Sequence, residues 1–76
     1  MHLYLGGHLN YFDAQQRVNI EIDLVGKQQL ADVLDRLKIP IGEVALITIN
    51  GEVLSLEDAW IKQEDHVQVY PPMGGG

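Results

Sequence analysis

Residues 17–38 read RVNIEIDLVGKQQLADVLDRLK, and the period of their apolar positions changes midway. From Arg17 to Leu24 the pattern alternates. Val18, Ile20, Ile22 and Leu24 fall on one side, and Asn19, Glu21 and Asp23 on the other. That is a strand with one buried face. Beyond it, Leu30, Val33, Leu34 and Leu37 recur at i, i+3, i+4 and i+7, one stripe of a helix. Asp32, Asp35, Arg36 and Lys38 take the outer faces. The spacing predicts a helix starting near Lys27, where no Ser, Thr, Asp or Asn offers an N-cap. It stops before Pro40, because the residue preceding a proline avoids helical geometry. A half-buried strand followed by an amphipathic helix implies a sheet with one face covered, an α+β arrangement.

On the N-terminal side, Leu3 to Leu5 form a short strand that Gly6-Gly7 end or bulge. Asn10 to Gln16 are polar and turn-forming, with Tyr11 and Phe12 available to cover the core. The first two strands are expected to pair as an antiparallel hairpin. On the C-terminal side, Ile39 and Ile41 continue the apolar seam. Asn50-Gly51 between apolar runs marks a type I′ turn, so Val44–Ile49 and Glu52–Leu54 read as a hairpin. Leu56 to Ile61 read as irregular, or as one helical turn around Trp60. His66 to Tyr70 alternate again, with Val67 and Val69 inward and Gln68 and Tyr70 outward. Pro71-Pro72 donate no ladder hydrogen bonds and end the strand. The order β-β-α-β-β-β places the last strand beside the first at the sheet centre. That is a β-grasp (ubiquitin-like) fold: a mixed sheet of four to five strands covered by one helix. The domain is expected over 1–70, with a flexible tail over 71–76.

Seventy-six residues support one domain, and 46% hydrophobic with 21% charged residues is a globular composition. There is no cysteine, which excludes a disulfide scaffold, a thiolate nucleophile and a cysteine-bound metal. Nothing requires an oxidising compartment, and the start has neither a signal peptide's basic segment nor its apolar run, so the cytoplasm is expected. No run approaches the ~20 apolar residues of a membrane span. The formal charge of −6 argues against nucleic acid, whose phosphates need a basic footprint. It suits a basic protein partner, or plain solubility.

The sequence closes on Tyr70-Pro71-Pro72-Met73-Gly74-Gly75-Gly76. Three glycines add nothing to a core, since glycine loses the most backbone freedom on ordering. They make a thin strip of main chain that fits a narrow channel in another protein. A frayed end is the alternative. From Pro71 to Gly76 the chain reaches at most ~20 Å when extended, and the prolines favour an extended exit. Gln68, Tyr70, Pro71, Pro72 and Met73 are the candidate partner interface, because aromatic residues and Met are enriched in such contacts.

Three stretches carry a resemblance that spans the whole chain. They are Leu30–Leu37 followed by Ile39-Pro40; Ile47-Thr48-Ile49-Asn50-Gly51; and Asp65-His66-Val67 running through Val69-Tyr70-Pro71-Pro72 to the glycines. Together they resemble the ubiquitin-like sulfur carriers: the small subunit of molybdopterin synthase and the thiamine sulfur-carrier protein. Two positions depart from that pattern. Glu64 stands where the family usually has glycine, and Met73-Gly74 occupies the region where many molybdopterin members carry Ser.

The resemblance implies that an E1-like adenylating enzyme uses ATP to activate the Gly76 carboxylate. A sulfur donor enzyme then converts it to a thiocarboxylate, with Gly74 and Gly75 giving access. The acceptor would be an enzyme such as the molybdopterin synthase large subunit, or thiazole synthase. The chain would be a carrier and not an enzyme, binding no cofactor itself. The Pro-Pro lead-in and long first loop favour the molybdenum or tungsten cofactor branch. A ubiquitin-like protein modifier and a non-covalent β-grasp interaction module are the alternatives.

Other residues carry less. His2, His8 and His66 lack a metal-ligand spacing, and Gly6-Gly7 is not followed by the Lys-Ser/Thr of a phosphate loop. Glu57, Asp58, Glu64 and Asp65 read as a solvated acidic face, because so small a chain encloses little pocket. Trp60 reads as core or semi-core, with a partner anchor as the alternative.

Overall fold

The computed structural model describes residues 1–72. Seven strands and one α-helix follow in order: β1 (His2–Leu5), β2 (Asn19–Glu21), β3 (Gln28–Gln29), α1 (Leu30–Arg36), β4 (Leu46–Ile49), β5 (Glu52–Leu54), β6 (Trp60–Ile61) and β7 (His66–Tyr70). Five of the strands make one mixed sheet in the order β2-β1-β7-β4-β5. β7 lies at its centre, parallel to β1 and antiparallel to β4, with Leu3 opposite Val67 and Ile47 opposite Val69. β3 and β6 form a separate two-stranded ribbon. The architecture is an α+β β-grasp, as the alternation and the helical stripe imply.

Alternation along β1, β2, β4 and β7 builds the core. Leu3, Leu5, Ile20, Ile47, Ile49, Val67 and Val69 point inward and meet Leu30, Val33 and Leu34 of α1. Such side chains each contribute roughly 1.5–3 kcal/mol when fully buried. Phe12 packs against this core as expected, whereas Tyr11 is exposed. Asn50 (φ 53°) and Gly51 (φ 84°) form the hairpin turn between β4 and β5.

Four boundaries differ from the sequence reading. β2 is shorter than Arg17–Leu24, because its partner β1 offers few residues. Single backbone bonds extend it at each end, from Leu5 N–H to the Val18 carbonyl and from Ile22 N–H to the Met1 carbonyl. Leu24 is still buried, but its N–H donates to the Gln63 side chain. β4 begins at Leu46 rather than Val44, although Ala45 N–H already bonds to the Tyr70 carbonyl. The helix begins at Leu30, three residues beyond the expected start, since Gln28 and Gln29 are taken up by pairing with Ile61 and Trp60. Its N-cap, Gln29, makes no side-chain cap bond, as the sequence foretells. Trp60 is exposed and Ile61 is the buried member of β6. The Trp60 ring instead lies 5.8 Å from the Lys27 ammonium.

Candidate functional site

The uncovered face of the sheet ends at the point where the chain leaves β7. Tyr4, Gln68, Thr48 and Val53 form one row across it, and Tyr70 pairs with Leu46 in the next. Gln68 is exposed and accepts a 2.9 Å bond from the Thr48 hydroxyl. Tyr70 is half-buried; its ring stands 5.8 Å from that of Tyr4, tilted by 56°. Val53 and Leu46 are 63% and 42% exposed, enough to make this end of the face apolar. Pro71 is half-buried and Pro72 exposed. The structure thus brings together Gln68, Tyr70, Pro71 and Pro72, four of the expected interface residues. Met73, the expected access residues Gly74 and Gly75, and the expected reactive Gly76 lie outside the described residues.

At the opposite end of the same face is a shallow depression of about 520 Å³, lined by His2, Tyr4, Asn19, Asn50, His66 and Gln68. His2 Nδ1 lies 2.5 Å from the Glu21 carboxylate and Nε2 lies 3.0 Å from the Asn19 side-chain oxygen. The bond to Glu21, and then that to Asn19, raise the His2 pKa above 6.5. The Glu21 carboxyl falls below its ordinary value for the same reason. The His66 ring is 6.0 Å from that of His2. Among the described residues no group of three or more His, Asp or Glu is placed to hold a metal ion. No described helix is long and apolar enough to cross a membrane.

The loop before β7 is held by Asp65, one of two buried carboxylates among the described residues. Burial raises its pKa. Bonds from the Asn50 amide, the Lys62 backbone N–H and the Lys62 ammonium outweigh that effect, leaving the carboxyl below its ordinary value. Glu64 is not among the positive-φ residues, so this turn does not require the glycine usual in the sulfur carriers. The side chains here secure the start of β7 and place no base beside a nucleophile.

Sequence reasoning missed Tyr4, Leu46 and Val53 as members of the face. Each sits outward by strand alternation, but their adjacency depends on strand order. It also read Gly6-Gly7 as a strand end or bulge, without the contacts above them. A Cβ on Gly6 would overlap the Tyr70 ring, and one on Gly7 would lie 2.5 Å from Pro71 Cγ.

No match was found among the curated proteins. One family profile, Mut7-C ubiquitin, matches residues 1–74. The match agrees with the ubiquitin-like β-grasp and does not single out the sulfur carriers. With nearly all of its length matched, the chain belongs to the Mut7-C ubiquitin family.

Proposed function

We propose that this ubiquitin-like module is a sulfur carrier that docks through its open sheet face and presents the residues beyond Pro72 to a partner enzyme. The observation that carries this reading is the position of β7. The strand is central, paired on both sides, and passes directly into Pro71-Pro72 beside the apolar patch of Tyr4, Leu46, Val53 and Tyr70. A rigid strand feeding a thin Gly-rich segment gives a delivered group a fixed origin.

The chemistry follows from the weakness of a carboxylate as an acceptor. Its charge repels nucleophiles, and oxide is a poor leaving group. In the proposed reaction the Gly76 carboxylate attacks the α-phosphorus of ATP held by an E1-like adenylating enzyme, and pyrophosphate leaves. Sulfur supplied by a donor enzyme at the oxidation level of hydrosulfide then forms the C–S bond as AMP departs. The thiocarboxylate keeps a soft nucleophilic sulfur for the acceptor, which is the molybdopterin synthase large subunit or, in the thiamine branch, thiazole synthase. The resemblance of the β7–Pro-Pro–Gly segment to the sulfur carriers supports the first.

A second reading is a non-covalent docking module. It is favoured by the family match, which supports a ubiquitin-like module without singling out a carrier role. A ubiquitin-like modifier, joined through Gly76 to a target lysine, shares the activation step with the carrier.

Intact mass of the untagged protein from its own cell separates these readings. An oxygen-to-sulfur increment localised to Gly76 is the expected result. Conjugates joined through Gly76 would support the modifier instead. Unaltered cellular activity after deletion of Gly75-Gly76 would sink both covalent readings and leave the docking module. The same mass reads whether Gly76 is the last residue in the cell, which the carrier requires.

A further inference from the structure

Two adjacent glycines face the two residues through which the chain leaves the sheet. Gly6 lies under the Tyr70 ring, where an added Cβ would overlap that ring and sit 3.2 Å from the Val69 carbonyl oxygen. Gly7 lies under Pro71, where a Cβ would come within 2.5 Å of Cγ and 2.9 Å of Cδ. The backbone on both sides is tied. Gly6 N–H donates to the Val69 carbonyl at 2.8 Å, Leu9 N–H donates to the Gly6 carbonyl at 3.1 Å, and Ala45 N–H donates to the Tyr70 carbonyl at 2.8 Å. Neither strand can move aside without losing a hydrogen bond, so added bulk at either glycine must displace Tyr70 or Pro71.

Resting on the carrier reading, we infer that Gly6 and Gly7 are positioning residues. They form a saddle that seats Tyr70 and Pro71 and sets the direction in which the chain leaves β7. The saddle touches no reacting atom and acts through the two residues seated on it. Its purpose is angular. A reactive group on a short tether reaches a partner's active site only if the tether starts in the right direction, and small misplacements reduce rate steeply.

The molecule supplies its own control. Gly26 has φ +73°, close to the +55° of Gly7, but nothing lies within 4 Å of a Cβ built there. Gly26→Ala therefore imposes similar backbone strain far from the exit, while Gly6→Ala imposes crowding without a positive φ. Two measurements on the full chain decide the matter. The first is solution NMR. Cα–Hα residual dipolar couplings of Tyr70, Pro71 and Pro72 in Gly6→Ala and Gly7→Ala are expected to depart from the wild-type orientation. Those of Gly26→Ala are expected to keep it. Coincident couplings in all four proteins overturn the inference, whatever becomes of the carrier reading.

The second measurement is the fraction of protein from cells that carries the sulfur increment at Gly76. A fall of about tenfold or more in Gly6→Ala and Gly7→Ala, with Gly26→Ala near wild type, is expected. Equal loading in all four overturns the positioning role while leaving the carrier standing. An equal fall in Gly7→Ala and Gly26→Ala, with Gly6→Ala loaded normally, assigns the effect to strain and also overturns it. If wild type carries no sulfur, the carrier reading fails. The positioning role in sulfur transfer falls with it, and the couplings alone decide whether the glycines direct the exit.

Discussion

Asn50 performs two tasks with one side chain. Its backbone takes the left-handed conformation that opens the β4–β5 turn. Its side-chain oxygen accepts the His66 N–H, and its amide donates to Asp65, each at 2.9 Å. Asn50→Ala strains the turn and removes both bonds, for an expected loss of roughly 2 kcal/mol. Urea unfolding with an unchanged slope checks this. Two buried carboxylates make the fold acid-sensitive. Asp13 is held far below the ordinary range by its bonds from the Arg17 side chain and backbone, and Asp65 is lowered as described above. A depressed carboxyl stabilises fully above its unfolded value of 3.8 and loses that contribution as pH falls through the folded value. Thermal midpoints are therefore expected to drop below about pH 4, and Asp65→Asn to flatten that drop while lowering stability at neutral pH. His2 has the opposite sign. Its raised pKa stabilises below 6.5 and the effect fades as pH rises through the folded value. An NMR titration is expected to show His2 moving down toward 6.5 in Glu21→Gln. The pair is exposed, so the change in stability is small.

The helix shows what local pattern reveals and what it conceals. Leu30, Val33 and Leu34 occupy the buried stripe that their spacing implies. The C-terminal end closes as a Schellman motif: Lys38 N–H bonds to the Asp35 carbonyl and Ile39 N–H to the Leu34 carbonyl. Lys38 holds the left-handed position at φ 65° that glycine usually fills. Lys38→Gly is expected to stabilise by about 0.5–1 kcal/mol, read as a higher urea midpoint. At the other end, Gln29→Asp is expected to add a cap of similar size, about 0.5–1 kcal/mol. The late start at Leu30 was not legible, because the pairing that claims Gln28 and Gln29 comes from Trp60 and Ile61. Likewise the alternation holds from Ile20 to Leu24, whereas Val18, expected on the buried side, is exposed, and a strand extends only as far as its partner. Periodicity reports which side is buried, and partners elsewhere in the chain decide the boundaries. Gln68 and Tyr70 of the candidate site were legible by alternation alone. Tyr4, Leu46 and Val53 joined it only once the strand order was known, and Gly6-Gly7 only once Tyr70 and Pro71 were seen above them.

At the scale of the whole molecule, the central pairing joins residues 2–5 to residues 66–69. Such distant partners must meet before the sheet closes, so folding is expected over about milliseconds to a second. Stopped-flow tryptophan fluorescence checks this through Trp60, which sits in the peripheral ribbon. Truncation after Pro72 is expected to leave the unfolding midpoint nearly unchanged, since the core built by the described residues is complete without the segment removed. The central place of β7 also bears on synthesis. A ribosome makes that strand after all the others, and until it emerges β1 and β4 have no neighbour to join them. A nascent chain halted before Val67 exposes the two half-sheets and carries no Pro-Pro-Met-Gly segment. Any enzyme that works on that segment therefore encounters it only on chains long enough to have completed their centre, and translation order itself screens out unfinished molecules.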